Sequence, residues 1–424
     1  MASSRLRRDP LTGPQPGVQR ERMHSVDTGL GLALLDDRHI QDPYPLYSRM
    51  HGAGPVHRIG TSGFYAVSAR DAIEEAIGRY GDFSSNLTAT ITYQPGGAVG
   101  EFPIGELGGP TQALATADEP LHAVHRKALL PQLAAKRIRA FEPFIDTTAA
   151  ELWTAGERIE WMSAIANRLP MAVVGRIIGV PAADVGRITE WGYAATQVVE
   201  GLVTPERLQA ATVAVLELAA YVTEQFQRAA GRDDLLGDLA AAVDAGLIED
   251  PAAMTMMITL FSAGGESTAS LIGSAAWILA TRPEVQRRLR DRPDLLGAFL
   301  EEVLRYEPPF RAHYRHVVRD THLHGVDLPA GSRLLLLWGA ANRDPAHLDD
   351  PDEFLLDRDS VRGHIAFGKG AHFCVGAALA RLEARVVIGQ LLERTSWVSA
   401  REVGRWLPSL LVRRLERLTL DCRD

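Results

Sequence analysis

Apolar residues recur at helical spacing through the middle of the chain and in short alternating runs nearer its ends. From Asp118 to about Thr281, Ala and Leu return every three or four residues, with breaks at "GVPAADVG" and "AAGRDDLLG", which predicts a succession of helices. Asp118 before "EPLHAVHRKALLPQL" is the predicted N-cap of one of them, with Pro120 tolerated in its first turn. Upstream, "PVHRIG" and "GFYAVS" read as short strands between short helices. Strands return after Pro308, in "RHVVRD", "HLHGVDLPAG" and "SRLLLLWGA". A final helix is predicted from about Val375 through "GAALARLEARVVIGQLLERT". The stretch "LTATITYQPGGAVGEFPIGELGGPTQALATADEP" has no clear period and reads as a long loop, either a functional cover or a plain surface excursion. The expected class is mainly α with a minor β lobe assembled from both ends of the chain.

Composition narrows this picture. With 424 residues, 46% of them hydrophobic, the chain can bury one large core or two modest ones. Residues 1–25, rich in Arg, Pro and Gly, are expected to form a disordered tail without a signal peptide or membrane anchor, and 26–424 a single domain with a helical lobe and a small sheet lobe. A net charge of -8 argues against nucleic-acid binding, which needs a basic stripe to displace counterions from phosphates. The two cysteines, Cys374 and Cys422, lie too far apart in sequence to read as a disulfide framework and suit a reducing cytoplasm.

Four constellations carry candidate chemistry. In "FGKGAHFCVG" (Phe367 to Gly376), Cys374 comes just before the last helix, where free N–H groups and the helix dipole favour a thiolate, a soft ligand for iron. Gly368, Gly370 and Gly376 let the backbone turn and approach a large flat body, and Phe367 would pack on it. A small buried cysteine beside a glycine loop is the plain alternative. In "FLEEVLRYEPP", Glu302 and Arg305 stand three apart on one helix face and can form an ion pair, either buried or on a solvated surface. In "ITLFSAGGESTASLIGSAAWIL", an apolar helix is interrupted from Ala263 and Gly264 through Glu266, Ser267 and Thr268. Adjacent glycines cost a helix about 1 kcal/mol each, so these small residues would admit a ligand, kink the helix or seat another helix. Glu266 and the two hydroxyls could move protons. Finally, His122 and Arg126 share a helix face, and with Arg315 and His372 they would suit two carboxylates on a planar cofactor.

In this order the pieces resemble the cytochrome P450 family, in its soluble bacterial branch, from about Asp42 onward. "FGKGAHFCVG" fits the family's haem-binding loop, Glu302 and Arg305 its Glu-x-x-Arg helix, and "AANRDP" with "PDEFLLDR" the segment that supplies Arg358 as third member of that charge cluster. The resemblance implies haem b (iron protoporphyrin IX) with Cys374 as the axial thiolate on iron. It implies propionates held by His122, Arg126, Arg315 and His372, and the helix of Ala263, Gly264, Glu266, Ser267 and Thr268 across the oxygen-binding face. Ser267 stands where the family usually has Thr, keeping the hydroxyl but losing the methyl that restricts its rotamers.

The implied activity is that of a haem-thiolate monooxygenase acting with O2 on a mid-sized organic substrate, by hydroxylation or epoxidation, in secondary metabolism. Electrons would come from a separate ferredoxin and ferredoxin reductase, drawn to cations at Arg126, Lys127 and Lys369. Two other readings stay open: oxidative coupling or ring formation without oxygen insertion, and a non-catalytic haem-binding sensor. By family position the substrate pocket should draw on the "LTATITYQPGG" loop, Trp191, Met257, Phe261, "PPFRAHY" with Arg311 and His313, and the "WLPSLL" turn.

Overall fold

The structure, a computed structural model, describes residues 29–93, 99–104, 111–153, 156–200, 205–358 and 361–423. The expected tail at 1–25 lies outside the described residues, as do residues 94–97 of the predicted pocket loop.

Short elements come first: α1 (Leu30–Ala33), α2 (Asp37–Gln41), α3 (Tyr44–Ala53), β1 (Val56–Arg58), β2 (Phe64–Val67), α4 (Arg70–Gly78) and β3 (Phe83–Ser84). The stretch read as an aperiodic loop contains a hairpin instead, β4 (Ala89–Tyr93) against β5 (Val99–Pro103). Ala89, Thr90 and Ile91 are all buried there, so the side-chain alternation of a half-exposed strand is lost.

The helical middle follows as α5 (Leu121–Leu129), α6 (Ala135–Ala140), α7 (Glu142–Leu152), a short β6 (Arg158–Glu160), α8 (Leu169–Ile178), α9 (Val185–Glu200), α10 (Pro205–Gln227), α11 (Leu235–Asp244) and α12 (Asp250–Thr281). Asp118 does not cap α5 with its side chain. Its carboxylate accepts instead from the Ser84 hydroxyl and the Ser85 N–H, at 2.5 and 2.8 Å, and Pro120 occupies the cap position. A Pro cap has no side-chain acceptor, and the Asp serves the neighbouring β3 segment.

Then come α13 (Pro283–Asp291), α14 (Leu296–Tyr306), β7 (Ala312–Val317), β8 (Thr321–Leu323), β9 (Val326–Leu328), β10 (Arg333–Leu337), α15 (Trp338–Ala341) and α16 (Ala377–Arg394). Two strands not read from the sequence close the chain, β11 (Trp397–Val403) and β12 (Leu418–Arg423), which pair with each other and with β6.

The larger sheet runs β1-β2-β10-β7-β3, so the minor β lobe is indeed built from both ends of the chain. Its strands are covered on both faces: Phe64, Ala66, Leu335 and Leu337 pack toward one cluster, Tyr65, Val67, Leu334 and Leu336 toward the other. In the helical part α12 is central. Its first half packs with α8, α9, α10 and α11, its second half with α14, α16 and β11. Such a helix is apolar nearly all round, which suits a buried span through a core. Among the described residues no helix is long and apolar enough to cross a membrane.

Candidate active site

Gly368 and Gly370 adopt φ of +71° and +73°, a left-handed backbone that side-chain-bearing residues rarely take. These two turns fold the loop back so that the Cys374 N–H donates to the Phe367 carbonyl at 2.9 Å, and the Gly368 N–H to Ile365 at 2.9 Å. The chain then enters α16 with Gly376 at its N-cap. Cys374 is thereby held at a helix start, and although deep in the protein it keeps accessible surface, because that surface is the wall of an internal cavity of about 250 Å³. Burial pushes its thiol pKa up. The Gly376 and Ala377 N–H groups and the Arg126 and Arg381 charges pull the other way.

Four basic residues meet the same cavity: His122, Arg126, Arg315 and His372, with His122 Nδ1 3.0 Å from Glu119 Oε1. The rings of His122 and His372 lie 3.9 Å apart. Arg126 donates to the Phe373 carbonyl at 2.7 Å and Arg315 to the Tyr314 carbonyl at 2.8 Å, neither of them a counter-charge. Burial lowers the Arg315 pKa to about 10, opposed by Asp118. For His372 burial, then the charges of His122, Arg315, Arg126 and His313, bring it down to about 3. Two arginines with no carboxylate in contact among the described residues, flanked by two histidines, form a site for an anion.

On the opposite wall, α12 presents Leu260, Ala263, Gly264, Ser267, Thr268 and Leu271. That is a helical stripe at spacings of three and four. The Ser267 hydroxyl donates to the Ala263 carbonyl at 2.6 Å, within its own helix. α12 continues unbroken through its glycines, and these seat α8: a Cβ on Gly265 would fall 1.9 Å from Met171 Sδ, and one on Gly264 2.9 Å from a Val174 methyl. The expected glycine interruption is therefore a helix-packing device, and Gly264 borders the cavity as well.

Glu266 does not line the cavity. It is 2% exposed and turned toward the C-terminal segment, where Arg414 Nε and Nη2 reach its Oε1 at 3.1 and 3.0 Å, while Oε2 has no hydrogen-bond partner. Burial raises its pKa, opposed by Arg414 and by the nearby hydroxyl of Thr196, which itself donates to the Gly192 carbonyl. Arg414 also stacks over Tyr193 and donates to Asn167.

Glu302 and Arg305 form a fully buried pair on α14, at 2.7 Å, and Arg358 joins Glu302 at 3.3 Å. This cluster stands behind the loop and does not border the cavity.

Cys374, Phe367, Gly368, Gly376, Ala263, Gly264, Ser267, Thr268 and the four basic residues thus share one cavity. Several predicted pocket residues do not. Met257 and Phe261 are buried in the α8–α11 core. The Trp191 indole donates to Glu217, Arg311 is spent on the carbonyls of His39 and Ser409, and the "WLPSLL" turn lies elsewhere. Lys369 is not a free cation either: it pairs with Glu74 at 2.6 Å. Residues not singled out from the sequence complete the walls, among them Leu114, Val174, Ile178, Leu235, Trp338 and Glu383. Glu383 on α16 is 1% exposed with Oε2 unpartnered, and burial holds its pKa well above the usual carboxylate range.

The residues fit a haem on three counts. Among the described residues no cluster of three or more His, Cys, Asp or Glu could hold a bare metal ion, so the lone thiol suits a metal that brings its own ring of ligands. The buried cations match two carboxylates on one edge of such a ring. The glycine loop and the Ala263–Gly264 wall leave room on both of its faces.

The sequence model of the family described as Cytochrome P450 matches residues 214–412. Cytochrome P450 144 of Mycobacterium tuberculosis is 62% identical over 386 residues, covering 90% of this chain and 89% of that protein. The cytochrome P450 monooxygenase PikC of Streptomyces venezuelae is 30% identical over 417 residues, covering 93% and 94%. Among solved structures, CYP164A2 of Mycobacterium smegmatis in its ligand-free state superposes with a TM-score of 0.82 at 27% identity, over 93% of this chain and 99% of that one.

Proposed function

The chain belongs to the cytochrome P450 family of monooxygenases, and on that premise we propose that it inserts one oxygen atom from O2 into a mid-sized, largely apolar organic substrate by hydroxylation or epoxidation. The observation that carries this reading is the shared cavity. One thiol, two arginines flanked by two histidines, and two hydroxyls on a central helix open onto the same space.

Haem b, when bound, supplies the dioxygen chemistry, with the thiolate favouring O–O cleavage. Cys374 Sγ would give up its proton to hold the iron as a thiolate, helped by the N–H groups of Gly376 and Ala377. Arg126, Arg315, His122 and His372 would hold the propionates, whose negative charge would offset the burial and the neighbouring charges that lower the His372 pKa. Phe367, with Arg381 stacked 4.4 Å over its ring, covers the sulfur side against water.

On the substrate side, Ser267 Oγ and Thr268 Oγ1 would pass protons into the cavity. Ser267 leaves its bond to the Ala263 carbonyl to do so. Glu266 sits one residue back as the acid that reloads them when its contact with Arg414 opens. Leu260, Val174, Ile178 and Leu235 keep water from the reacting bond.

Electrons arrive from a separate ferredoxin and its reductase. With Lys369 neutralised by Glu74, the attraction for an acidic partner rests on Arg126 and Lys127. We place the enzyme in the cytoplasm and in secondary metabolism, on the strength of its family. Turnover under isotopically labelled O2 tests the reaction type. The label enters product if oxygen is inserted, and a dehydrogenated or coupled product without label contradicts insertion.

A further inference from the structure

His313 lies on β7 beside the cations of the site, but it is not one of them. Along that strand Ala312 and Tyr314 are buried on one side, while His313 and Arg315, two residues apart, border the cavity. Like Cys374, His313 lies deep in the protein yet keeps accessible surface, and that surface faces the cavity.

Its ring is fixed by two aromatic neighbours. Phe310 lies 4.9 Å away between ring centroids and Trp338 5.8 Å. The Trp338 indole N–H, 3% exposed as a residue, donates to His313 Nδ1 at 2.5 Å. An indole nitrogen can only donate, so Nδ1 must offer a lone pair and the ring proton must sit on Nε2. Burial, reinforced by the charge of Arg315, lowers the pKa to about 4, so the ring stays neutral in this form. Nε2–H is then a donor of fixed direction. Among the described residues it has no hydrogen-bond partner; Phe310 and Trp338 flank the ring, and Arg315 and His372 are near enough to interact with it by charge. A donor left unmatched at a cavity wall gains from a matching acceptor.

We infer that His313 is a specificity-determining residue whose Nε2–H donates to an acceptor oxygen of the substrate, selecting apolar molecules that carry a carbonyl, ether or carboxylate oxygen at one fixed place. Trp338 is the positioning residue that locks the tautomer. A substrate presenting only a donor there is disfavoured. The inference rests on the proposed monooxygenase reading, in which this cavity receives the substrate.

The test uses ferric, haem-loaded enzyme and two probes of one shape, 1-tetralone and tetralin, titrated by the shift of the haem absorption band. The ratio of the two affinities is compared between proteins, so that the probes' own solvation cancels. His313→Phe lowers the preference for the ketone about tenfold, and His313→Gln, which keeps an N–H donor, restores most of it. Trp338→Phe leaves the imidazole in place but frees its proton to move, and lowers the preference several-fold. This variant decides the matter if His313→Phe does not accumulate.

An unchanged ratio in Trp338→Phe or His313→Phe, with haem content normal, overturns the inference. So does a His313→Phe protein that loses haem while its remaining holoenzyme keeps the ratio, because Nε2–H would then serve a propionate oxygen. A preparation without thiolate-bound haem overturns the monooxygenase reading and this inference together, and is recognised from the spectrum before any probe is added.

Discussion

Glu302 and Glu266 are both carboxylates sunk into the helical core, 0% and 2% exposed, and both meet arginine. They differ in how completely they are matched. Glu302 has both oxygens engaged: Arg305 at 2.7 and 2.8 Å, the Leu355 N–H at 2.9 Å and Arg358 at 3.3 Å. The guanidiniums spend their other N–H groups on the carbonyls of Asn342, Pro351 and Glu353. Glu266 has one oxygen toward Arg414 and the other unmatched. A carboxylate with every lone pair satisfied is a clamp. One with half its partners can change its proton, as the proposed relay through Ser267 and Thr268 requires.

Removing the clamp has the largest expected effect. Glu302→Ala leaves Arg305 and Arg358 buried without a counter-charge and costs about 3–5 kcal/mol. The segment from Pro351 to Arg358 loosens behind the cysteine loop, so urea denaturation and haem content both fall. A variant with wild-type stability would show that the cluster is not a clamp.

Glu266→Gln is expected to act the other way round. Stability changes by less than about 1 kcal/mol, because the amide still fits beside Arg414, while turnover drops about a hundredfold for want of the acid. Ser267→Ala and Thr268→Ala give smaller losses of product, with peroxide released instead. Full coupling in all three variants would sink the relay.

Glu383 extends the contrast to a buried carboxyl with no cation at all, and its effect is the smallest. Burial raises its folded pKa, so at pH values above the usual carboxylate pKa the unfolded chain has lost a proton that the folded protein keeps. The folded state then binds more protons, and stability falls as pH rises through that window, by at most about 1.4 kcal/mol per unit. Glu383→Gln abolishes this slope in denaturation series at stepped pH. A slope equal to the wild type's would mean that the carboxyl is already charged in the folded protein.

The same residues show what a sequence can carry. The cysteine loop was legible because its shape is local: two left-handed glycines and the helix behind them lie within ten residues. The spacing of Glu302 and Arg305 showed that they share a face, but their burial depends on carbonyls and on Arg358 some fifty residues downstream. Arg414 is 148 residues from Glu266, and no pattern in the chain joins them.

On α12 the lining residues Leu260, Gly264, Ser267 and Leu271 share a face, and by period Met257, three residues before Leu260, falls beside them. Because the helix is apolar on nearly every side, the period does not say which positions reach the cavity, and Met257 and Phe261, expected at the pocket, are buried in the core instead. The terminal strands β11 and β12 were missed for a related reason: edge positions such as Arg401 and Glu402 are polar on both sides of the chain.

The account stands or falls on Cys374 as the haem ligand. The most direct measurement is the absorption spectrum of the reduced protein under carbon monoxide, for the wild type and for Cys374→His. The wild type is predicted to give the thiolate-type band and Cys374→His a band of the imidazole type or no bound haem. A wild-type spectrum of the imidazole type, or a thiolate band that survives the substitution, would contradict it.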